Sequence, residues 1–315
     1  MKNKKKVLIL GADGFLGSNL TKSLIQDGKY KIRAFDLFEG GVLRNLKECK
    51  NKIEIFQGNF LNRDDLRKAL KGVDYVFHYI SLTTPGSSMK DPLIDVDTNI
   101  RGTVVLLEEC AKAKVKKFIF SSSGGAIYGN QEKDLLNEDD PQNPISPYAI
   151  SKLAIEKYLE YYRLNHGLEY LILRYSNPYG PGQNVVGSQG IIPIFLNLIK
   201  QKKLITIFGD GKNIRDYIFI DDAIENTKKI VFKKTTRRRL YNLGSGKGIA
   251  INEVVDIIRK VTGKNVKVKK MPARSIDVRR VVLNTKRIKK EINYSIKVNM
   301  EEGIRRTWKW VSSSN

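Results

Sequence analysis

The chain has 315 residues, of which 41% are hydrophobic and 29% are charged, and its 57 Lys and Arg against 33 Asp and Glu give a formal net charge of +24. This composition is typical of a globular protein and excludes a disordered chain, and no apolar run reaches the ~18 residues that a membrane helix needs. Two cysteines and two histidines are too few for a disulfide framework or a metal centre, so we expect no metal.

The amino terminus and the cysteine content predict a cytoplasmic location. The apolar run VLIL after the basic start is shorter than the roughly 7–15 residues of a secretory hydrophobic region, so we expect no signal peptide. The lack of a disulfide framework fits a reducing compartment.

The positive charge is spread along the chain in short runs such as KNKKK, KKTTRRR and VKVKK. It would raise the local concentration of anions. No helix-turn-helix, zinc-finger or RNA-binding aromatic pattern accompanies it, so a lysine-rich solvated surface is a better interpretation than nucleic-acid binding.

Predicted strands and helices alternate through the first half of the chain. The predicted strands are 5–12, 31–37, 53–60, 73–80, 116–123 and 168–176, and the predicted helices are 15–28, 63–72, 99–115 and 146–159. This alternation predicts a Rossmann-type, doubly wound parallel α/β sheet covered on both faces. We expect a dinucleotide-binding domain at 1–173, to which 217–244 returns. A smaller α/β substrate-binding lobe would comprise 174–216 and 245–315.

The segment GADGFLG lies between the first predicted strand and helix. Gly11 would permit the tight turn, Gly14 would let a pyrophosphate approach the backbone, and Gly17 would let the helix pack close to the strand. Phe15 and Leu16 open the helix, whose amino terminus would face the phosphates. The loop therefore predicts a nucleotide site.

Asp36 ends the second predicted strand, 19 residues after Gly17. A carboxylate there accepts hydrogen bonds from the adenosine ribose and repels a 2′-phosphate, which favours NAD over NADP. The alternative is a turn residue before Leu37.

The segment SPYAISKLAIEKYL places Ser146 and Pro147 at a helix start and Tyr148 and Lys152 on one helical face. Lowering the pKa of a tyrosine from ~10 to ~7 takes about 4 kcal/mol of preferential phenolate stabilisation. A lysine and an oxidised nicotinamide could supply it. The alternative is a neutral pair without a chemical role.

Further segments follow in a characteristic order: VDYVFHYI, TNIRGT, SSSGGAIYG, LRYSNPYGPGQ, GDGKNIRDYIFIDD and YNLGSGKG. With the glycine loop and the Tyr-x-x-x-Lys pair, they resemble the extended short-chain dehydrogenase/reductases over essentially the whole chain. Within that superfamily the chain is most similar to NAD-dependent nucleotide-sugar epimerases of the UDP-glucose 4-epimerase group.

The resemblance implies an isomerase of carbohydrate metabolism that forms a homodimer and acts on a nucleotide sugar, with UDP as the favoured carrier. Tyr148 would take the proton of the sugar C4 hydroxyl while NAD takes the hydride. The 4-keto intermediate would then turn over and receive the hydride on its other face. The substrate would be a UDP-hexose or a UDP-N-acetylhexosamine.

The resemblance also implies roles for individual residues around the cofactor. Asn59 and Phe60 would lie near the adenine, and Lys152 would bind the nicotinamide ribose. The residues expected along the inner ribose, the phosphates and the edge of the sheet are Tyr79, Ile80, Ser81 and Asn99.

Four residues of the second lobe match substrate-binding positions of the family. Asn177 would donate to the phosphates, Arg215 and Arg274 would clamp the diphosphate, and Asp277 would contact the ribose. Guanidinium groups suit bidentate phosphate contacts. Either arginine could instead form a structural ion pair, with Asp216 or Asp277.

The chain departs from the family at Gly124, where a Ser or Thr usually bonds the reacting hydroxyl. Either Ser123, with Ser122 beside it, supplies the hydroxyl, or the Tyr-Lys pair works with weaker help. Gly124 and Gly125 also replace the acid pair of the dehydratases. A dehydratase or reductase of the same superfamily remains an alternative. Another is a non-catalytic NAD-sensing or nucleic-acid-associated binding protein, although such relatives typically lose the Tyr-Lys pair.

Val281 lies seven residues after Arg274, at a position that walls the sugar pocket in UDP-galactose-type epimerases. A small side chain there would admit N-acetylated sugars. The equally open alternative is a buried strand residue.

Overall fold

The computed structural model describes residues 4–187, 189–274 and 277–313. The chain divides into two compact units, which we describe separately. The first comprises Met1–Ser122, Pro147–Leu173 and Arg238–Leu240, and the second comprises Ser123–Ser146, Arg174–Arg237 and Tyr241–Asn315. One boundary falls between residues 173 and 174. Of the expected returning segment 217–244, however, only 238–240 belong to the first unit, and 123–146 belong to the second.

The described residues form thirteen strands. They are β1 (Lys5–Leu10), β2 (Tyr30–Asp36), β3 (Glu54–Gln57), β4 (Tyr75–His78), β5 (Lys117–Ser123), β6 (Tyr170–Tyr175), β7 (Asn177–Tyr179), β8 (Ile205–Phe208), β9 (Ile214–Phe219), β10 (Leu240–Leu243), β11 (Gly248–Ala250), β12 (Val268–Met271) and β13 (Arg280–Val281).

Eleven α-helices accompany them in the same described residues. They are α1 (Phe15–Asp27), α2 (Arg63–Ala69), α3 (Pro85–Ser88), α4 (Pro92–Asp95), α5 (Gly102–Lys112), α6 (Pro147–His166), α7 (Ile191–Lys200), α8 (Ile220–Val231), α9 (Ile251–Thr262), α10 (Lys286–Lys289) and α11 (Met300–Ser313). Short 3₁₀ segments lie at Glu39–Gly41 and Lys47–Lys52, and a π-helix lies at Val96–Arg101. None of these helices is long and apolar enough to cross a membrane.

The central sheet has seven strands in the order β10-β6-β5-β4-β1-β2-β3. β1 pairs in parallel with β2 and with β4, and the pairs β2–β3 and β4–β5 are also parallel. The chain order therefore reverses between β1 and β4, which is where doubly wound sheets open a ligand crevice. The predicted Rossmann-type fold class is confirmed.

Apolar strand residues account for the core of the first unit. Val7–Leu10 of β1 are fully buried, because a parallel sheet covered on both faces hides every side chain of its central strands. Phe77, Phe118 and Phe120 of the neighbouring strands are equally buried.

The second unit contains smaller sheets. β9 pairs in parallel with β7 and β13 and antiparallel with β11, while β8 pairs in parallel with β12. α11 packs against α7 and α9. A buried apolar cluster is formed by Tyr128, Leu136, Val278, Val281 and Leu283.

Candidate active site

The glycine loop after β1 leaves no room for a side chain at Gly11 or Gly17. Gly11 has φ +79°, a left-handed conformation that favours glycine, and a Cβ there would lie 3.2 Å from the backbone N of Ile80. A Cβ on Gly17 would collide with the carbonyl oxygen of Gly11 and lie 2.9 Å from the Cα of Ala12. The first and third glycines therefore allow the turn and the close packing of α1 on β1.

The amino terminus of α1 is open to an anion. Its N-cap is Gly14, which offers no side chain to cap the helix, and the first intrahelical bond runs from Ser18 N to Gly14 O at 2.9 Å. The preceding N–H groups, on Phe15, Leu16 and Gly17, have no partner within the helix. With the glycine cradle, these donors fit a dinucleotide diphosphate.

Asp36 ends β2 beside this loop. One carboxylate oxygen accepts from Asp13 N and the other from Leu37 N, each at 2.9 Å. Burial raises the pKa of Asp36, and those two backbone bonds oppose the rise. Each oxygen keeps acceptor capacity for a ribose hydroxyl, so the carboxylate fits NAD while also stabilising its own turn.

Sequence reasoning missed Asp13. Its carboxylate accepts from the backbone N–H groups of Arg44 at 2.7 Å and of Asn45 and Leu46 at 2.9 Å. Asp13 thus anchors the segment after β2 to the glycine loop. Nothing in the spacing of GADGFLG indicates this contact, because its partners are more than 30 residues away.

The structure brings Tyr148 and Lys152 together on α6. The Lys152 Nζ lies 5.6 Å from the centroid of the Tyr148 ring and 4.8 Å from that of Phe120, and it donates to Ser121 O at 3.0 Å. The Tyr148 backbone N donates to Ser88 Oγ at 3.1 Å. Lys152 is only 5% exposed. Burial lowers the pKa of its ammonium to about 8, and the negative charges of Asp95 and Glu156 oppose that shift.

The two candidate serines differ in environment. Ser122 is 3% exposed, and its Oγ donates to Glu156 Oε1 at 2.6 Å, so this hydroxyl is engaged within the first unit. Ser123 ends β5 and is only partly buried. Of the two serines, Ser122 is therefore the one whose hydroxyl is already engaged by a buried acid.

Gly124 is a glycine for a packing reason. A Cβ at this position would lie 2.5 Å from Leu283 Cδ1 and 3.1 Å from Arg174 O. The hydroxyl residue that the family usually has there cannot fit beside Leu283 without a shift.

The residues expected near the adenine have different surroundings. Asn59 is exposed, and its Oδ1 accepts from Leu61 N at 2.9 Å. The Phe60 ring is buried and stacks on His78 with 5.2 Å between centroids. Only the main chain of Phe60 is therefore left for a ligand, and its side chain belongs to the core.

The residues after β4 lie beside the glycine loop. Tyr79, Ile80 and Ser81 are partly buried, and Tyr79 N donates to Leu10 O at 3.0 Å. Asn99 is 5% exposed, and its Oδ1 accepts from Leu82 N at 3.0 Å. Asn99 therefore braces the segment that leaves the carboxyl edge of β4.

A cavity of about 460 Å³ in the second unit brings four predicted residues together. Its lining includes Asn177, Arg215, Arg274 and Asp277. The wall also carries apolar side chains, among them Phe195, Phe208, Tyr217 and Ile251. An apolar wall with two guanidinium groups suits a ligand with a planar base and a diphosphate.

The two arginines of this cavity have different hydrogen-bond partners. Arg274 forms an ion pair with Asp277, with nitrogen–oxygen distances of 2.7 and 2.9 Å, and its guanidinium lies 4.4 Å from the centroid of Phe208. Arg215 donates to Ile214 O at 2.9 Å, and burial lowers the pKa of its guanidinium. The ion-pair alternative is thus realised by Arg274.

Asp216, the other acid considered as a partner, faces elsewhere. It is fully buried and accepts from Ser245 N, Ser245 Oγ, Gly246 N and Leu283 N at 2.7–3.2 Å. Asn177 Nδ2 donates to the backbone oxygen of Asp216 at 2.9 Å. The carboxylate of Asp216 therefore fixes the backbone around β9.

Val281 is 1% exposed and packs with Tyr128, Leu136, Val278 and Leu283. It is not among the residues that line the cavity. Of the two interpretations of this position, a buried strand residue accounts for the geometry.

Comparison with known proteins agrees with this arrangement. Residues 7–244 match the NAD dependent epimerase/dehydratase family. The chain is 32% identical over 310 residues to a putative UDP-glucose 4-epimerase of Methanocaldococcus jannaschii, with 98% of this chain and 99% of the relative covered.

Two solved structures have the same fold. A Thermotoga maritima UDP-glucose 4-epimerase, solved with UDP-glucose, is 34% identical with a TM-score of 0.89, over 97% of this chain and 98% of that one. A Thermus thermophilus UDP-glucose 4-epimerase, solved with NAD, is 30% identical with a TM-score of 0.91, over 98% and 100%. With the glycine cradle and the Tyr148–Lys152 pair already in place, these matches show that the chain belongs to the NAD-dependent epimerase/dehydratase family.

Proposed function

We propose that the chain catalyses the NAD-dependent epimerisation of a nucleotide sugar at C4, with a UDP-hexose or a UDP-N-acetylhexosamine as substrate. The observation that carries this proposal is the buried Lys152 beside the Tyr148 ring, in the same unit as the glycine cradle. Bound NAD would supply the hydride acceptor for C4, held by the glycine loop, Asp36 and Lys152.

Tyr148 serves as the base that takes the proton of the C4 hydroxyl. The Lys152 ammonium stabilises the phenolate through its charge, because burial of the lysine strengthens its electrostatic interactions. Lys152 also donates to the nicotinamide ribose, and Ser123 donates to the reacting oxygen. Tyr148 must stay close to the sugar, because it returns the proton later in the reaction. Its place on the rigid helix α6 keeps it there.

The cavity of the second unit supplies the anchor for the substrate. Arg215 and Arg274 bind the diphosphate, and Arg274 exchanges its contact with Asp277 for phosphate oxygens, which frees Asp277 for the ribose. Asn177 adds a donor. Fixing the diphosphate leaves the sugar free to turn, so that both faces of C4 can be presented to the cofactor.

The two glycines at 124 and 125 argue against a dehydratase. Elimination of water needs an acid pair after the hydroxyl residue, and the space at Gly124 is filled by Leu283. Gly125 likewise carries no acid, and a Cβ there would make only ordinary van der Waals contact with Asn177 Oδ1 at 3.7 Å.

An apolar stripe on α6 supports a homodimer. Ile150, Tyr161 and Leu164 are 51%, 51% and 66% exposed, and their spacing puts them on one face of the helix, with Tyr158 at its side. Exposed apolar faces of this kind mark protein contacts. Light scattering at several concentrations tests this, and a monomer at all of them would contradict it. The cytoplasmic location stays a prediction from the cysteine content.

The test of function is product analysis by proton NMR in D₂O, with UDP-glucose, UDP-galactose and their N-acetylamino counterparts. The expected result is inversion at C4 with the original hydrogen kept there, because the hydride never exchanges with solvent. The Tyr148→Phe variant is the control. Loss of water from the sugar, or deuterium at C5, would indicate a dehydratase instead.

A further inference from the structure

Asp95 is a completely buried acid that no part of the proposed mechanism uses. It ends α4, and its carboxylate accepts hydrogen bonds from three side chains. Asn99 Nδ2 donates to Oδ1 at 2.9 Å, and the hydroxyls of Thr83 and Ser151 donate to Oδ1 and Oδ2. Both oxygens of the Asp95 side chain are therefore engaged by donors from within the first unit.

The three donors come from three different segments of the first unit. Thr83 lies in the segment after β4, and Asn99, which also donates to Thr83 Oγ1 at 2.8 Å, lies in the π-helix. Ser151 lies on α6. Asp95 therefore ties the segment beyond β4 to α6. The π-helix begins at the next residue, and such irregular turns occur frequently at functional sites.

Ser151 is the residue immediately before Lys152, so the carboxylate is joined to the helical turn that carries the catalytic pair. The charged and titratable groups around Lys152 come from several elements. On α6 they are Tyr148 and Glu156, on α4 Asp95, and on β4 His78, which burial keeps neutral with a pKa of about 3. β5 contributes the Ser121 carbonyl and the Phe120 ring.

A buried ammonium in such a site is costly, because burial favours its neutral form. Burial lowers the pKa of Lys152 to about 8, and Asp95 and Glu156 are the two charges that raise it again. Glu156 also accepts from Ser122, whereas Asp95 bonds Ser151 directly. The two acids thus come from separate elements, Asp95 from α4 and Glu156 from α6, and only Asp95 bonds the residue next to Lys152.

We propose that Asp95 is a positioning residue for the reaction, which holds the Lys152 turn of α6 through Ser151 and keeps Lys152 cationic through its own negative charge. This inference rests on the proposed function for the role of Lys152, but the charge of Lys152 can be measured without any turnover. A purely structural Asp95 would stabilise the unit and leave the titration of Lys152 unchanged.

The experiment is an NMR pH titration of the protein labelled with ¹³C at lysine Cε, with the Lys152 signal identified by its absence in Lys152→Arg. Asp95→Asn keeps the shape of the side chain and removes its charge. We expect the Lys152 midpoint to fall by about one pH unit, a tenfold change in proton affinity. Ser151→Ala, which keeps the Asp95 charge, is the matched control and should leave the midpoint where it is.

Activity measurements then separate the proposed function from the inference about Asp95. If the proposed function holds, Asp95→Asn lowers kcat and moves the high-pH limb of the profile to lower pH, while Ser151→Ala lowers kcat without moving it. An inactive wild-type protein would refute the function and leave the NMR result intact. Equal Lys152 midpoints in wild type and folded Asp95→Asn would overturn the inference. If Asp95→Asn does not fold, Asp95→Ser carries the same expectation.

Discussion

The side chain of Leu283 occupies the space that a side chain on residue 124 would need, with its Cδ1 only 2.5 Å from a Cβ at Gly124. The two residues are 159 positions apart, and Leu283 is fully buried. The missing hydroxyl at Gly124 is therefore fixed by packing. A hydroxyl side chain added there would require the Leu283 side chain to shift.

Gly124→Ser should destabilise the protein by about 1–3 kcal/mol, because it overpacks the cluster around Leu283. Urea unfolding measures the loss. The double variant Gly124→Ser with Leu283→Ala should lose less than the sum of its two single variants, since the smaller residue makes room. Additive losses would show that the two side chains do not compete for space.

Tyr148→Phe should keep the fold and bound NAD but lower kcat by ~10²–10⁴, the usual contribution of a positioned acid/base. Ser123→Ala should lower kcat less. Ser122→Ala should reduce stability rather than kcat, because the Ser122 hydroxyl donates to buried Glu156. Steady-state kinetics and thermal unfolding of the three variants distinguish these effects, and a Tyr148→Phe enzyme at the wild-type rate would refute the mechanism.

Asp36→Ala should weaken NAD binding and reduce the preference for NAD over NADP, because it removes the carboxylate at the end of β2. Calorimetry with both cofactors measures the change. Asp27→Ala, at the exposed carboxyl end of α1, is the control for loss of a negative charge in the same unit. Equal effects of the two substitutions would remove Asp36 from the cofactor site.

Lys152→Met should raise the free energy of unfolding at pH 7. The folded-state pKa of Lys152, about 8, lies below the usual lysine value of 10.5, so burial of the ammonium destabilises the protein fully below pH 8. The difference corresponds to about 3 kcal/mol. The penalty is relieved as the pH rises towards 10.5. Urea unfolding at pH 7 and pH 10 tests this, and a pH-independent difference between variant and wild type would contradict it.

Arg274→Lys should weaken UDP binding about tenfold, because an ammonium lacks the planar fork that binds two phosphate oxygens and stacks on Phe208. Arg279→Lys, an exposed residue outside the cavity lining, is the matched control. Calorimetry with UDP, at low and moderate salt, provides the measurement. Unchanged affinity in Arg274→Lys would mean that the pair with Asp277 is purely structural.

Local patterns were enough to predict the sheet and the cofactor loop. Hydrophobic strand runs alternate with amphipathic helices, and the glycine spacing follows from contacts within a few residues, such as that of Gly17 with Gly11. The pairing of Tyr148 with Lys152 is likewise set by one helical turn. These features depend on short-range geometry, which the sequence shows directly.

Features that depend on distant packing were not predictable. Leu283 excludes a side chain at 124, Glu156 engages the hydroxyl of Ser122, and the Phe60 ring turns into the core against His78. Val281 is another example. Counting seven residues from Arg274 predicted a place in the sugar pocket, whereas its neighbours in the structure form an apolar cluster.

Asp216 has a consequence for protein engineering. One buried carboxylate bonds the backbone at Ser245, Gly246 and Leu283, so loss of the Asp216 side chain would leave three backbone N–H groups around β9 without their acceptor. Libraries aimed at a different nucleotide should therefore keep Asp216. They should vary apolar wall residues that do not stack on Arg274, of which Phe195 and Ile251 are the first choices.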